Sequence, residues 1–186
     1  MKILAVTTQK NEGAFLLESI AYHKIIGFTD IVILSNDCDD GSDEMLDHLS
    51  KSGEIIHLRN DGPSDDRGIQ FAALELAGRQ KAVKEADWIM HLDNDEFLNI
   101  HVGDGQIGDL ITALPEADAI ALTWRMFGNN GITEFKDRLL TEQFALTAPK
   151  IMHWLLRAFM IKTLYRNNGI YGNWVFTAQN SLTMIG

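Results

Sequence analysis

The chain is predicted to be one α/β domain, a mostly parallel sheet with helices on both faces. Three observations predict it. Short apolar, β-branched runs alternate with connections of helix length. Strands joined in this way pair in parallel through crossovers and need cover on both faces. A length of 186 residues, 46% hydrophobic and 23% charged, provides one sizeable core but is short for two. Residues 1–186 therefore read as a single domain, and no internal repeat, low-complexity tract or linker divides them.

The elements follow in order. Residues 2–8 (KILAVTT) form an apolar run that reads as a buried strand. Residues 12–28 place Phe15, Leu16, Ile20, Tyr22, Ile25 and Ile26 at helical spacing, and Gly27 supplies a stop. A second strand at 31–34 runs into the turn-rich stretch 35–42. A short helix at 43–52 then turns Met45, Leu46 and Leu49 inward, with Ser42 as its N-cap and Asp43 and Glu44 favoured by the helix dipole. Residues 54–58 make strand three, and 60–66 (NDGPSDD) a loop. A helix over 69–86 leads to a strand at 88–92, which ends in Asp93, Asn94, Asp95 and Glu96. A short helix at 106–114 and an extended run at 119–127 follow. Residues 149–166 are apolar, with Lys150, His153 and Arg157 along one face if helical. Burial against the sheet is the favoured fate of that segment, and peripheral docking at a membrane surface is the alternative.

Charge narrows the function. The formal net charge is −10, which repels a phosphate backbone and argues against general nucleic-acid binding. The acid is concentrated early: residues 1–100 carry 9 basic and 19 acidic side chains, residues 101–186 seven of each, and no acid follows Glu142. One cysteine, Cys38, forms no internal disulfide, and the first apolar run is too brief for a signal-peptide core, so a cytoplasmic setting is expected.

Ligands of parallel sheets bind beyond the carboxyl ends of the strands, which singles out residues 7–12, 35–42 and 93–96. Asp93 and Asp95 form a D-x-D directly after an apolar strand. Two carboxylates there repel unless solvated or bridged, and Mg²⁺ or Mn²⁺ takes one or two carboxylates while filling its other positions with water and phosphate oxygens. The bland reading, a polar strand end capping a turn, stays open beside it. Other motifs fail. An EF-hand centred on Gly41 would put Cys38 at a ligand position, and the G-x-G-x-x-G of Gly103, Gly105 and Gly108 lacks an acid about twenty residues on. The six histidines show no ligand spacing and read as surface or satisfied core residues.

Taken together, these motifs resemble the family 2-like glycosyltransferases of the GT-A fold. The likeness begins with Lys10-Asn11-Glu12 and Leu16 and continues through Tyr22, His23 and Gly27. It then takes in Ser35-Asn36-Asp37, Asp40-Gly41-Ser42 and Leu92-Asp93-Asn94-Asp95-Glu96-Phe97-Leu98, and ends with Thr123-Trp124-Arg125-Met126-Phe127-Gly128 and residues 162–166. It covers most of the chain. Family 2 enzymes usually carry two aspartates where this chain has Ser35 and Asn36.

The resemblance implies a Rossmann-like GT-A sheet, a nucleotide-sugar donor, a glycan or lipid-linked acceptor, and Mn²⁺ or Mg²⁺ as cofactor. Residues 1–100 would be the donor-binding part and 101–186 the acceptor-side part, in a shortened or minimal form. By position, Thr7, Asn11 and Glu12 would approach the nucleotide, Asn36 and Asp40 the base or ribose, and Arg67 the diphosphate. Asp93 and Asp95 would hold the metal, and Glu142, with Glu134 and Asp137 close behind, would take the acceptor's proton. Trp124, Phe127 and Gly128 would form an acceptor platform. Location would be cytoplasmic or peripheral at the inner membrane face. The rivals are a noncatalytic nucleotide-sugar-binding module and a metal-dependent phosphatase, whose D-x-D belongs on the first strand.

Overall fold

Alternation along the strands fixes the two faces of the sheet. In β1 (Ile3–Gln9), Ile3 and Ala5 enter one apolar layer and Leu4 and Val6 the other, so the strand is covered on both sides, as a continuous apolar run requires. The computed structural model describes residues 1–62, 66, 68–134, 136–149 and 160–169. After β1 come α1 (Gly13–Ile25), β2 (Asp30–Ser35), α2 (Ser42–Lys51), β3 (Ile56–Arg59), α3 (Ile69–Gly78), α4 (Lys81–Glu85) and β4 (Trp88–His91). The remaining described elements are α5 (Ile107–Ala113), β5 (Ala119–Thr123), α6 (Leu140–Gln143) and β6 (Ile161–Arg166).

The strands lie in the order β3-β2-β1-β4-β6-β5. β1 pairs in parallel with β2 and β4, and β2 with β3. β6 is antiparallel to both β4 and β5, so it runs against the other five. One layer packs Leu16 and Ile20 of α1, Leu46 of α2 and Ile107 of α5 against Ile33, Trp88 and Leu164. The opposite layer packs Leu74 and Ala77 of α3 and Val83 of α4 against Val32, Leu34 and Ile89. The α/β class, mostly parallel with helices on both faces, is the one expected.

Three local expectations are corrected. The helix at 69–86 is divided, because Gly78 ends α3 and Gln80 is extended (φ −70°, ψ 142°) before α4 begins. The N-cap of α2 is Gly41, at φ 86°, rather than Ser42. Ser42 already lies in the helix, and its backbone N–H donates to Asp40 Oδ1 at 3.0 Å. Residues 161–166 are strand, where Ile161, Thr163 and Tyr165 favour extended backbone, so a helix does not continue through them. Lys150, His153 and Arg157 lie outside the described residues. Among the described residues no helix is long and apolar enough to cross a membrane.

Candidate functional site at the β1–β4 switch

β1 sends the chain toward β2 on one side and receives β4 on the other, so the crevice of the sheet opens between the carboxyl ends of β1 and β4. The two loops that leave these ends are bonded to each other. Asn94 is 2% exposed and its Nδ2 donates to Glu12 Oε2 at 2.7 Å. With the middle residue of D-N-D turned inward, its neighbours are left outside: the Asp93 side chain is 41% exposed, and Asp95 is exposed with no hydrogen-bond or ion-pair partner among the described residues. The turn is closed by Asp93 N–H donating to Glu96 Oε2 (2.8 Å) and Glu96 N–H donating to the Asp93 carbonyl (3.1 Å). Phe97 then anchors it, edge-on to Tyr22 at 5.1 Å and stacked on His23 at 6.3 Å, while the Tyr22 hydroxyl donates to the Leu98 carbonyl.

The loops after β1 and β2 are held together in the same manner. Asn11, at φ 57°, exchanges two hydrogen bonds with Asp39: its Nδ2 donates to Asp39 Oδ1 and its Oδ1 accepts from Asp39 N–H. Asp40 Oδ2 accepts the Gly13 N–H at 3.0 Å, and a Cβ at Gly13 would come within 3.2 Å of that oxygen, so glycine permits the close approach. Of the residues expected to meet the nucleotide, Asn11, Glu12 and Asp40 thus gather along one rim. Thr7 is buried in β1, and Asn36 is buried with its Nδ2 donating to the Asn60 carbonyl. Arg67 lies outside the described residues.

The reversed direction of β6 brings a cation to this rim. Met90 pairs with Leu164, so Lys162, two residues earlier in β6, stands beside the chain as it leaves β4 for Asp93. Its side chain is 12% exposed, and its Nζ lies 3.0 Å from both Asp93 Oδ2 and Glu96 Oε2 and 5.7 Å from the centre of the Trp124 ring. The surrounding groups are shifted. Burial raises the Glu12 carboxyl, opposed by its Asn94 bond and reinforced by Asp95 and Asp93. Burial likewise raises Glu96 against the pull of Lys162. His91 is pushed down to about 4 by burial and then by Lys162, so it is neutral at physiological pH. Its Nε2, Glu96 Oε1 and Trp124 Nε1 are buried without a partner among the described residues. The expectation of satisfied core histidines therefore fails at His91, and also at His23, whose Nε2 is similarly unpartnered. His57 is satisfied by Ser35 and Asp47.

The donor chemistry at the D-x-D suits a hard divalent cation, since Asp95 and the second oxygen of Asp93 present carboxylate oxygens without protein partners among the described residues. Among the described residues no group of three or more His, Cys, Asp or Glu is arranged to hold a metal. An ion held there would take most of its coordination from water and ligand oxygens.

The acceptor-side candidates divide. Trp124 continues the β5–β6 ladder through its N–H to the Met160 carbonyl and contacts Lys162. Phe127 and Gly128 line an open, apolar cleft of about 360 Å³ with Met126, Leu146, Thr147 and Ala148. Glu142 is exposed on α6 and shares no hydrogen bond or ion pair with the residues at 93–96 among the described residues. Its helix is instead tied to α1: Glu18 accepts from Leu140 N–H, Thr141 N–H and the Thr141 hydroxyl. Sequence reasoning missed Glu18, the anchoring role of Phe97 and the placement of Lys162. The signals for the last were the basic excess after Glu142 and the inclusion of residues 162–166 in the resemblance, neither of which placed it beside Asp93.

No protein-family model matches the chain. Among curated proteins, it is 27% identical over 151 residues to a glycosyltransferase family 92 protein of Oryza sativa subsp. japonica, an alignment that covers 77% of this chain and 25% of that protein. It is 25% identical over 181 residues to a glycosyltransferase family 92 protein of Ricinus communis, covering 89% of this chain and 30% of that protein. The chain thus spans less than a third of the length of the curated relatives it matches. These relatives carry the family 92 designation, whereas the motifs resemble the family 2-like group. Among solved structures, S. aureus TarS 1–349 is 16% identical with a TM-score of 0.48, covering 90% of this chain and 47% of that one. TarS 1–349 in complex with UDP-GlcNAc gives 16% and 0.45, covering 90% and 46%.

Proposed function

We propose that this chain carries the site of a glycosyltransferase that moves a sugar from a nucleotide-sugar donor to a glycan, lipid or other acceptor, with Asp93 and Asp95 holding Mg²⁺ or Mn²⁺ against the donor's diphosphate. The observation that carries the reading is the D-N-D turn at the β1–β4 switch, with Asn94 spent on Glu12 and both flanking carboxylates directed outward. The similarity to family 92 glycosyltransferases supports the glycosyl-transfer part of the reading.

Asn11, Glu12 and Asp40 fix the rim that a nucleotide would lie along, and Arg67, Asn36 and Thr7 are the further donor contacts implied by the resemblance. Asp93 and Asp95 would hold the divalent ion, which when bound would supply positive charge to the diphosphate of the leaving group. In the transfer an acceptor hydroxyl oxygen forms the new bond to the anomeric carbon, and the sugar–phosphate bond breaks with its electron pair leaving on the nucleoside diphosphate. In an inverting transfer the hydroxyl proton passes to a carboxylate, for which Glu142 is the candidate and Glu134 and Asp137 the alternates. Trp124 and the apolar cleft at Phe127 and Gly128 would receive a glycan or the sugar of a lipid-linked acceptor.

The test is a thermal-shift panel of nucleotide sugars and nucleoside diphosphates with and without Mn²⁺, since a ligand that binds only the folded state stabilises it in proportion to the logarithm of its excess. Stabilisation that requires both components in the wild type and loses its metal dependence in Asp95→Ala supports the proposal. Equal stabilisation without metal counts against it. Donor that binds and never releases nucleoside diphosphate, to water or to any acceptor, would instead favour a noncatalytic binding module.

A further inference from the structure

We infer that Lys162 is a fixed counter-cation of the Asp93–Glu96 turn that opposes loading of a divalent cation by itself. The inference deepens the donor-site reading and rests on it for the identity of the competing ion. Three contacts carry it. The Lys162 ammonium lies 3.0 Å from Asp93 Oδ2, 3.0 Å from Glu96 Oε2 and 5.7 Å from the Trp124 ring centre, and its side chain is only 12% exposed. A lysine in such a place is not a freely moving surface charge. Its stem is enclosed in a sheet strand, its head is shared between two carboxylates, and an aromatic face covers it.

The competition follows from position. One oxygen of Asp93 is already committed to an ammonium, so a divalent ion at Asp93 and Asp95 would sit within a few ångströms of a like charge that water screens poorly. Lys162 cannot swing away at low cost, because Glu96, with 17% of its side chain exposed, would be left with the Asp93 N–H but no counter-charge. A diphosphate changes the balance by bringing negative charge of its own, which both cations attract. Metal and diphosphate are therefore expected to enter together.

The experiment titrates Mn²⁺ alone into the full chain at pH 7.5 and reads free Mn²⁺ by electron paramagnetic resonance, then repeats the titration with saturating UDP or GDP. Lys162→Met keeps the stem and removes the charge. Lys162→Met/Glu96→Gln also removes the buried counter-charge and guards against misfolding of the single variant. Lys162→Arg keeps the charge. The inference expects Mn²⁺ alone to bind at least tenfold more tightly to the Met variants than to wild type, with Lys162→Arg staying at the wild-type value. Equal Mn²⁺ affinity across all four proteins overturns it, and so does a gain in Lys162→Arg equal to that of the Met variants. If the Met variants gain Mn²⁺ affinity while no protein binds UDP or GDP, the counter-cation role stands and the donor reading falls.

Discussion

The bond between Asn94 and Glu12 is the hinge pin of the candidate site, and Asn94→Asp tests it with a change of one atom. Asn94 is 2% exposed and donates to Glu12 Oε2 at 2.7 Å, so the substitution exchanges a donor for a second carboxylate oxygen at the same place. Two unit charges about 4 Å apart repel by roughly 4 kcal/mol at an effective dielectric of about 20. Glu12 is only half-buried, and solvent screening together with local movement should leave about 2 kcal/mol of destabilisation at pH 8. The loss must depend on pH with a definite sign. Glu12 is already raised by burial, and a second carboxylate raises both groups further above their unfolded-state values. The unfolded chain then ionises first as pH rises. No penalty exists while both carboxyls are protonated in both states; it grows through the carboxylate range and levels off above the raised values.

Urea unfolding at a series of pH values between about 4 and 8 measures this. Asn94→Asp should approach wild type at the acid end and fall short of it by the full amount at pH 8. The exchange Glu12→Gln/Asn94→Asp restores one donor and one acceptor in reversed order and should recover most of the loss, a coupling that a double-mutant cycle isolates. If Asn94→Asp is as stable as wild type at pH 8, or if its deficit is the same at both ends of the range, the bond does not hold the turn as described.

Glu18→Ala removes the acceptor of three hydrogen bonds at the start of α6 and should cost about 1 kcal/mol, read as several-fold faster amide exchange at Leu140 and Thr141 with little change elsewhere. Phe97→Ala takes a half-buried ring from Tyr22 and His23 and should cost about 2 kcal/mol in urea unfolding, with Phe97→Leu costing less; an effect within error would refute its role as anchor. Asp47 is held below the usual carboxylate range by Arg59 and then His57, so its contribution is present above its unfolded-state value and is lost as pH falls through the folded one. Thermal unfolding of Asp47→Asn should accordingly fall less steeply than wild type on acidification below about pH 4, and parallel curves would exclude the pairing.

The central sheet was legible because each buried strand is a short apolar run bounded by turn residues, and β1 and β4 carry nothing polar until their carboxyl ends. The break between α3 and α4 was less legible, since Ala82 and Val83 continue the apolar spacing of the helix before them and only Gly78 marks the interruption. Asp40 illustrates a different limit. Its composition suggested a ligand contact or a cap, and the structure gives it a tertiary task, joining the start of α1 to the start of α2 through Gly13 N–H and Ser42 N–H. A bond over 27 residues of sequence leaves no periodic trace.

Lys162 was illegible for a topological reason. The amino end of a strand in a parallel sheet lies opposite the ligand edge, so a lysine at the second position of β6 would ordinarily be dismissed as structural. Because β6 runs against its five neighbours, that position lies beside the carboxyl end of β4, and a residue from the basic section after Glu142 meets the acidic turn at 93–96. Composition recorded the charges on both sides, the acidic excess before residue 100 and the absence of acid after Glu142, without the strand direction that brings them together. Arg166 makes the converse point from the far end of the same strand. There it spans Asp118 and the Trp88 ring at the edge away from the site, so two cations four residues apart on one strand serve opposite rims of the sheet. Direction, rather than residue type, separates the lysine at the candidate site from the arginine that holds the frame.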